Sequence, residues 1–298
     1  MSRDRIVDDD YIRFPLIISF HVVYIYIYYF ILLYSIVFTL LLLQYDHSCA
    51  MYSPEGRVFQ VEYAQKAVST QGTAIGIKCR DGVVLAVEKP IVSKMLMPGS
   101  NRRVFGVDSH AAVAITGYPA DGRQIVNRAR EEAKNYKDTY GHRIVPSVLS
   151  SRIASEVHVH TASWAYRPYG CAALIAGYDE DTKAHELYMV EPSGICFRYF
   201  GCSAGKGAQM AKTEIEKIFG RVGGSEGISC REAVSEISNI LYAIRDTSKD
   251  KPFEVDMCWV CEETAWTYSL VPADLLASCD RESQLAQIGA GGEEKMES

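Results

Sequence analysis

Three short motifs contain residue types that are able to do chemistry. Cys258 and Cys261 form a CxxC pair, the spacing used by metal sites and thiol redox centres. His158 and His160 are two potential metal ligands, two positions apart. The segment 201–207 reads Gly-Cys-Ser-Ala-Gly-Lys-Gly and resembles a phosphate-binding loop. Each motif has to be weighed against an ordinary structural explanation.

The structural explanation is favoured for all three motifs. Cys258 and Cys261 fall in a predicted strand, where positions three apart face opposite sides, and the chain has no second CxxC. His158 and His160 fall on a predicted helix, where side chains two apart diverge by about 200°. The glycine segment 201–207 is one residue short of a phosphate loop and lacks its Ser or Thr. We therefore predict no metal site and no cofactor, and a strand-to-helix turn at 201–207.

Composition narrows the class of protein. The chain has 298 residues, of which 48% are hydrophobic, enough for a substantial core. A formal net charge of −6 gives no basic surplus, which argues against nucleic acid as a partner. The nine cysteines are odd in number and scattered, as is typical of reduced intracellular thiols.

The elements that must position such motifs are predicted from apolar periodicity. Predicted strands are 73–79, 83–87, 104–107, 110–116, 171–178, 186–191, 195–200, 255–260 and 267–271. Predicted helices are 58–71, the segment between Pro119 and Gly141, a helix opened by Pro146 with Trp164 on its apolar stripe, 206–219, 231–245 and a last helix from Pro272. The tail 289–298 is polar, and we expect it to be loose.

Several predicted strands are apolar on both alternating faces. In the first two, Ile75 and Ile77 alternate with Ala74, and Val83 and Leu85 alternate with other small or apolar residues. A strand buried on both sides needs cover above and below. Two stacked sheets, each with helices on its outer face, supply that cover. The pattern therefore predicts an α+β fold, a four-layer αββα sandwich.

A turn, a helix and a hairpin follow one another at the start of this pattern. Ser53-Pro54-Glu55-Gly56 forms the predicted turn, the helix 58–71 follows, and the hairpin turns at Arg80-Asp81-Gly82. This arrangement resembles the N-terminal signature of α-type proteasome subunits, and the resemblance extends from Tyr45 to about Ala277. It implies the αββα proteasome-subunit fold of the N-terminal-nucleophile hydrolases.

The resemblance places Thr73 level with the nucleophile of the catalytic β-type proteasome subunits. That chemistry needs a free α-amino group as base, whereas Thr73 follows Gly72 in a continuous chain. Arg103 stands where the catalytic relatives have an assisting lysine, and arginine stays protonated. The expectation is therefore a non-catalytic structural subunit with no catalytic residues. A threonine peptidase remains the enzyme alternative.

The resemblance also implies a gate and partners. Family members stabilise an open gate with a tail Tyr-Asp pair, a turn proline and a helix tyrosine, which correspond to Tyr45, Asp46, Pro54 and Tyr63. Arg103 occupies the position of the lysine that meets an activator's C-terminal carboxylate, and it is able to pair with one. Implied partners are the other α and β subunits of a 28-subunit hetero-oligomeric core and regulatory particles or activators, in cytoplasm and nucleus.

Residues 1–44 do not fit this picture, whereas 45–298 form the expected subunit domain, with 45–57 as gate tail and turn. The stretch 14–43 contains no charged side chain, and about 20 such residues suffice to cross a bilayer. A single-span membrane protein is therefore the third hypothesis. The alternative, which we favour, is that this Ile- and Tyr-rich block is translated non-coding sequence, because it stops abruptly at Tyr45. A membrane partner is expected only if 14–43 is genuinely expressed.

Overall fold

The computed structural model describes residues 25–38, 48–97, 99–224, 227–245 and 252–293, with side chains up to 285 in the last range. The chain divides into two compact units, Met1–Phe59 and Gln60–Ser298. The first unit contains helix α1, residues 25–38, whose side chains are exposed. Among the described residues, no helix combines the length and the apolar character needed to cross a membrane. The rest of the apolar block 14–43 lies outside the described residues.

The predicted turn closes the first unit. The carbonyl of Ser53 accepts a hydrogen bond from the N–H of Gly56 at 2.8 Å, and Gly56 adopts a φ of 77°. Glycine is preferred at the fourth position of such a turn. The hydroxyl of Ser53 accepts a second bond, from the N–H of Arg57 at 3.1 Å. The Arg57 guanidinium then lies over the Phe59 ring, 5.2 Å from its centre.

The remaining described elements alternate between groups of strands and groups of helices, as the sequence pattern predicts. The helices are α2 (Phe59–Ser69), α3 (Pro119–Tyr140), α4 (Pro146–Ala162), α5 (Ala208–Val222), α6 (Cys230–Ile244) and α7 (Ala273–Glu293). The strands are β1 (Ala74–Lys78), β2 (Gly82–Pro90), β3 (Val104–Asp108), β4 (Ala111–Gly117), β5 (Cys171–Asp179), β6 (Ala184–Val190), β7 (Cys196–Arg198), β8 (Gly201–Ala204), β9 (Phe253–Cys261) and β10 (Tyr268–Leu270).

The strands form two antiparallel sheets of five. One sheet has the order β10-β9-β2-β1-β8 and the other the order β3-β4-β5-β6-β7. The predicted hairpin is present, since β1 pairs with β2 in a register that sets Ile77 opposite Val84. A bond from the N–H of Cys79 to the carbonyl of Gly82, at 2.8 Å, closes it.

Three apolar clusters hold the layers together and confirm the four-layer sandwich. A central cluster between the sheets includes Leu85 from one and Leu174 from the other, both fully buried. A second lies between the first sheet and α5, α6 and α7, around Trp259 and Ile237. A third lies between the second sheet and α3 and α4, around Ile153. Both faces of the central strands are therefore covered.

Three details differ from the sequence expectations. Gly201–Ala204 forms β8, the strand at one edge of its sheet, which pairs with β1. No local sequence pattern predicts this strand. Trp164 is not on the α4 stripe, because α4 ends at Ala162 and the Trp164 side chain is 85% exposed. Helix α7 runs to Glu293, past Gly289, where we expected the loose tail to begin. Glycine weakens a helix without necessarily ending it.

Candidate functional site

Thr73 lies immediately before β1 and only 2% of its surface is exposed. Its backbone N–H donates to a carboxylate oxygen of Glu88 at 2.9 Å. Its hydroxyl oxygen accepts a hydrogen bond from the N–H of Gly207 at 3.1 Å. The peptide bond from Gly72 delocalises the lone pair of the Thr73 nitrogen, so this nitrogen cannot take up the hydroxyl proton. The base that a threonine nucleophile needs is therefore missing.

The glycine segment 201–207 packs tightly against this threonine. A Cβ on Gly205, whose φ is 105°, would lie 2.4 Å from the carbonyl oxygen of Gly72. A Cβ on Gly207 would lie 2.9 Å from the Thr73 hydroxyl. On another side, the Thr116 hydroxyl donates to the Gly72 carbonyl. The glycines serve close backbone approach, as predicted, and they enclose the threonine.

Arg103 precedes β3 and is 8% exposed. Its backbone N–H donates to the Asp256 carboxylate at 2.9 Å, and its guanidinium donates to the Gly117 carbonyl, also at 2.9 Å. Gly117 follows Thr116, so Arg103 and Thr73 approach the same end of β4. Burial lowers the pKa of Arg103, and the Asp256 carboxylate partly offsets this shift. Arginine nevertheless keeps its proton at working pH, and the Arg103 Nε has no hydrogen-bond partner among the described groups.

A buried ion cluster lies beside Arg103, and no local sequence pattern predicts it. Lys89, at the end of β2, is 4% exposed, and its Nζ lies 2.9 Å from Asp256 and 3.2 Å from Glu254. Lys89 is directly opposite Glu254 in the pairing of β2 with β9. The sequence signal was a lysine, Lys89, near the end of an apolar strand, together with two acidic residues, Glu254 and Asp256, at alternate positions of another strand. Reading it requires the pairing of strands far apart in sequence.

The four residues of the expected gate cluster are only partly described. Tyr45 and Asp46 lie outside the described residues. Pro54 belongs to the first unit, in the turn that Ser53 closes. Tyr63 belongs to the second unit, on α2, with 49% of its surface exposed. The gate cluster therefore stays a prediction.

A groove of about 540 Å³ runs between α2 and the start of α3 in the second unit. Its lining residues include Tyr63, Ala64, Tyr118, Asp121, Arg167 and Pro168. The Arg167 guanidinium donates two hydrogen bonds to the Asp121 carboxylate, at 2.6 and 2.7 Å, and the N–H of Gly170 donates a third at 2.8 Å. Burial alone would raise the pKa of Asp121, but these hydrogen bonds outweigh it and hold the pKa below its usual value. The pair fixes the loop before β5 against α3.

The other candidate motifs behave as the structural explanation predicts. Cys258 faces the cluster between the sheets and Cys261 faces the cluster under the helices, so the CxxC pair does not converge. His158 contacts the Thr161 hydroxyl through Nδ1 at 3.3 Å. The ring centre of His160 instead lies 4.3 Å from the ring centre of Tyr169. The two histidines therefore point to different surroundings.

Fold and site together define a class. A four-layer αββα sandwich with a threonine at the entry to a central strand is the framework of the N-terminal-nucleophile hydrolases, here with the threonine locked within the chain. Residues 68–260 match the proteasome subunit family, and residues 45–67 match the N-terminal signature of the A-type (α) proteasome subunits. The chain therefore belongs to the proteasome subunit family and carries the signature of its α-type, non-catalytic ring members.

Relatives in several organisms agree with this assignment. The alpha type-3 proteasome subunit of Arabidopsis thaliana is 51% identical over 232 residues, which cover 78% of this chain and 90% of the relative. The alpha type-3 proteasome subunit of Dictyostelium discoideum is 51% identical over 231 residues, with the same two coverages. The probable alpha type-7 proteasome subunit of Saccharomyces cerevisiae is 44% identical over 233 residues, 78% of this chain and 80% of the relative. These findings confirm the predicted family.

Proposed function

We propose that this chain is a non-catalytic structural subunit of the outer α ring of the 20S proteasome core, at the position held by α type-3 subunits. The observation that carries the proposal is the internal, enclosed Thr73, whose nitrogen is a hydrogen-bonded amide. The α-type signature at residues 45–67 and the type-3 relatives support it. In this role the chain forms part of the ring and of its intersubunit contacts. Its function is to assemble with other proteasome subunits.

Affinity purification of a tagged chain, followed by native mass spectrometry, tests this proposal. The expected result is a 28-subunit particle that contains six other α types alongside the tagged chain. An isolated chain that never enters such a particle would contradict the proposal. So would peptide cleavage by the isolated chain that Thr73→Ala abolishes, which would instead support a peptidase.

The gate role is a second part of the proposal. Tyr45, Asp46, Pro54 and Tyr63 match the residue types and spacing of the family's open-gate cluster. A hydrogen-bonded cluster of this kind is able to hold a gate in one of two arrangements. Phenylalanine at position 63 keeps the ring and removes the hydroxyl.

Activator-stimulated peptide hydrolysis by assembled particles measures this role. Particles that carry Tyr63→Phe should lose part of the stimulation, whereas Tyr52→Phe should not. Tyr52 is a suitable control because it is also an exposed tyrosine but lies outside the proposed cluster. Equal stimulation of both variants and the wild type would contradict the gate assignment.

Arg103 is proposed to meet the C-terminal carboxylate of a docked activator. The support is its position in the family pattern and the ability of arginine to pair with carboxylates through two parallel bonds, although the side chain is 8% exposed in this chain. Arg103→Ala should weaken activator binding to the particle, while Arg103→Lys should retain part of it. Arg102→Ala is the control, because Arg102 is the exposed neighbour. Activator binding that survives Arg103→Ala unchanged would exclude this role.

The first 44 residues are proposed not to belong to the natural protein. The matched α signature begins at residue 45, and the two family models together match residues 45–260. Mass spectrometry of the protein from its source decides the question, since peptides from 1–44 would refute the proposal. A carbonate wash that fails to release the protein from membranes would favour the single-span alternative. We further propose residence in cytoplasm and nucleus, which an odd number of scattered cysteines suits.

A further inference from the structure

Three side chains with metal-ligating atoms, and a fourth cysteine beside one of them, lie where the β1–β2 hairpin meets α6 and β9. Cys79 follows β1, Asp81 lies in the hairpin turn, and Cys230 is the first residue of α6. The ligand atoms of these three residues all lie within 4.8 Å of one another. Cys261, the last residue of β9, joins the group because its thiol is hydrogen-bonded to that of Cys230. Two sulfurs and one carboxylate therefore lie together, and the Cys261 sulfur adjoins them through Cys230.

We propose that Cys79, Asp81, Cys230 and Cys261 form a binding site for a zinc ion. The site is separate from the closed threonine and does not depend on the α-ring proposal. Thiolate ligands select zinc over the hard cations calcium and magnesium. Three cysteines and one further ligand make up the four-coordinate set that structural zinc sites use.

The spacing of the ligand atoms suits a tetrahedral site. Zinc–sulfur bonds of about 2.3 Å place two tetrahedral sulfurs about 3.8 Å apart. The ligand atoms of Cys79, Asp81 and Cys230 are already within 4.8 Å of one another. These separations are up to about 1 Å longer than the tetrahedral sulfur–sulfur distance.

Backbone contacts hold the four ligands in place without an ion. The N–H of Cys230 donates to one carboxylate oxygen of Asp81 at 2.8 Å, which leaves the second oxygen as a ligand. The N–H of Arg80 donates to the carbonyl of Ile228 at 3.0 Å and ties the hairpin to the loop before α6. Gly82 is paired with Cys261 between β2 and β9. Because the protein orders these groups itself, binding requires little further ordering.

Burial and access also fit a structural ion. The three cysteines are buried, while Asp81 is partly exposed and offers a route of entry. The hydrogen bond to Cys230 and burial raise the pKa of the Cys261 thiol. Zinc binds cysteine as the thiolate, so a bound ion has to displace thiol protons. The bound ion would link a hairpin, a helix start and a strand end that are distant in sequence.

Zinc binding by the purified full-length chain tests the proposal under reducing conditions. Competition with a chromophoric chelator should show one equivalent of zinc on the wild type, and cobalt in its place should give a thiolate charge-transfer band. Cys230→Ser should weaken binding at least about 10-fold and remove the band. Cys258→Ser is the matched control, because Cys258 is a buried thiol on the opposite face of β9. It should bind zinc as the wild type does.

Two results would overturn the proposal. One is a folded wild type that takes up no zinc and gives no charge-transfer band with cobalt. The other is equal zinc affinity in Cys230→Ser and Cys258→Ser. If Cys230→Ser does not fold by circular dichroism, Cys261→Ser and Asp81→Asn provide the same comparison. Unchanged affinity in both of these variants would equally refute the site.

Discussion

Thr73 and Glu88 exchange two hydrogen bonds across the start of the β1–β2 pairing. The N–H of Thr73 donates to the Glu88 carboxylate at 2.9 Å, and the N–H of Glu88 donates to the Thr73 carbonyl at 2.8 Å. In a threonine hydrolase the nitrogen of that threonine would be a free amine and would accept a proton. Here it is a donor locked to a carboxylate. The fold therefore keeps the framework of a nucleophile site while its chemistry is unavailable.

The first prediction concerns peptide cleavage. The isolated chain should not cleave fluorogenic peptides, and Thr73→Ala should leave this background unchanged, because the Thr73 nitrogen is an amide and cannot act as the base for the hydroxyl. A fluorescence assay at neutral pH measures both proteins. Cleavage that disappears in Thr73→Ala, or a processed form that begins at residue 73 and digests peptides, would contradict this expectation.

The second prediction concerns Gly205, which lies close to the backbone of Gly72 and Thr73. Gly205→Ala should strongly destabilise the protein, since its Cβ would lie 2.4 Å from the Gly72 carbonyl oxygen at a φ of 105°. Adding bulk to a close-packed site typically costs about 1–3 kcal/mol or more. Chemical denaturation measures the change in free energy of unfolding.

Gly220→Ala is the control for this steric argument. Gly220 lies within α5, and a Cβ there would meet nothing within 4 Å. Alanine should stabilise the helix by about 0.5–1 kcal/mol. If both substitutions destabilise the protein equally, close approach at Gly205 is not the reason for the glycine.

Much of this fold was predictable from local pattern. The hairpin at Arg80-Asp81-Gly82, the helix opened by Pro146 and the two-sided burial of β1 and β2 all follow from turn chemistry and periodicity. Gly141 likewise ends α3 in a left-handed conformation with φ of 78°. These are signals carried by neighbours in sequence, so sequence alone is sufficient to read them.

The missed features depend on contacts between distant residues. The ion cluster of Lys89 with Asp256 arises from the pairing of β2 with β9, and Asp81 contacts Cys230 at a separation of 149 residues. Strand β8 was missed for the same reason, since its partner is β1. Trp164 was misplaced because its helical spacing continues the α4 stripe, although the helix ends before it. Periodicity does not show where a helix stops.

The third prediction concerns the Asp121–Arg167 pair. Asp121→Asn should destabilise the protein at pH 7 by about 1.5–3 kcal/mol, because a buried, charge-assisted contact is lost. The pKa of Asp121 is lowered in the folded protein. The stabilisation is therefore complete above the unfolded pKa of about 3.9 and is lost as the pH falls through the lower folded pKa. The difference between wild type and variant should shrink in that acidic range.

Urea denaturation between pH 7 and pH 3 measures this dependence. Glu263→Gln is the control, because Glu263 also receives two bonds from an arginine, Arg231, but at an exposed position. It should change stability very little, since exposed ion pairs contribute little. A constant difference between Asp121→Asn and wild type at every pH would show that the ionised carboxylate is not the stabilising form.

The fourth prediction concerns the buried amine of Lys89. Lys89→Met keeps most of the apolar stem but removes the charge that lies 2.9 Å from Asp256 and 3.2 Å from Glu254. Two neighbouring carboxylates would then lose their shared cation inside a largely buried cluster. Breaking a buried ion pair on one side typically costs about 3–5 kcal/mol. Because Glu254 is partly exposed to water, the lower part of this range is expected.

Lys217→Met is the control for the loss of a lysine charge as such. Lys217 pairs with Glu214 on the exposed face of α5, at 2.7 Å, and this pair should contribute only about 0.2–0.5 kcal/mol. Thermal and urea unfolding of both variants measure the contrast. Hydrogen exchange at the backbone amide of Arg103 is a second readout. This N–H donates to Asp256, the same carboxylate that pairs with Lys89, so Lys89→Met should increase exchange at this amide. Equal stability of the two variants, with unchanged exchange at Arg103, would mean that the buried cluster does not stabilise the pairing of β2 with β9.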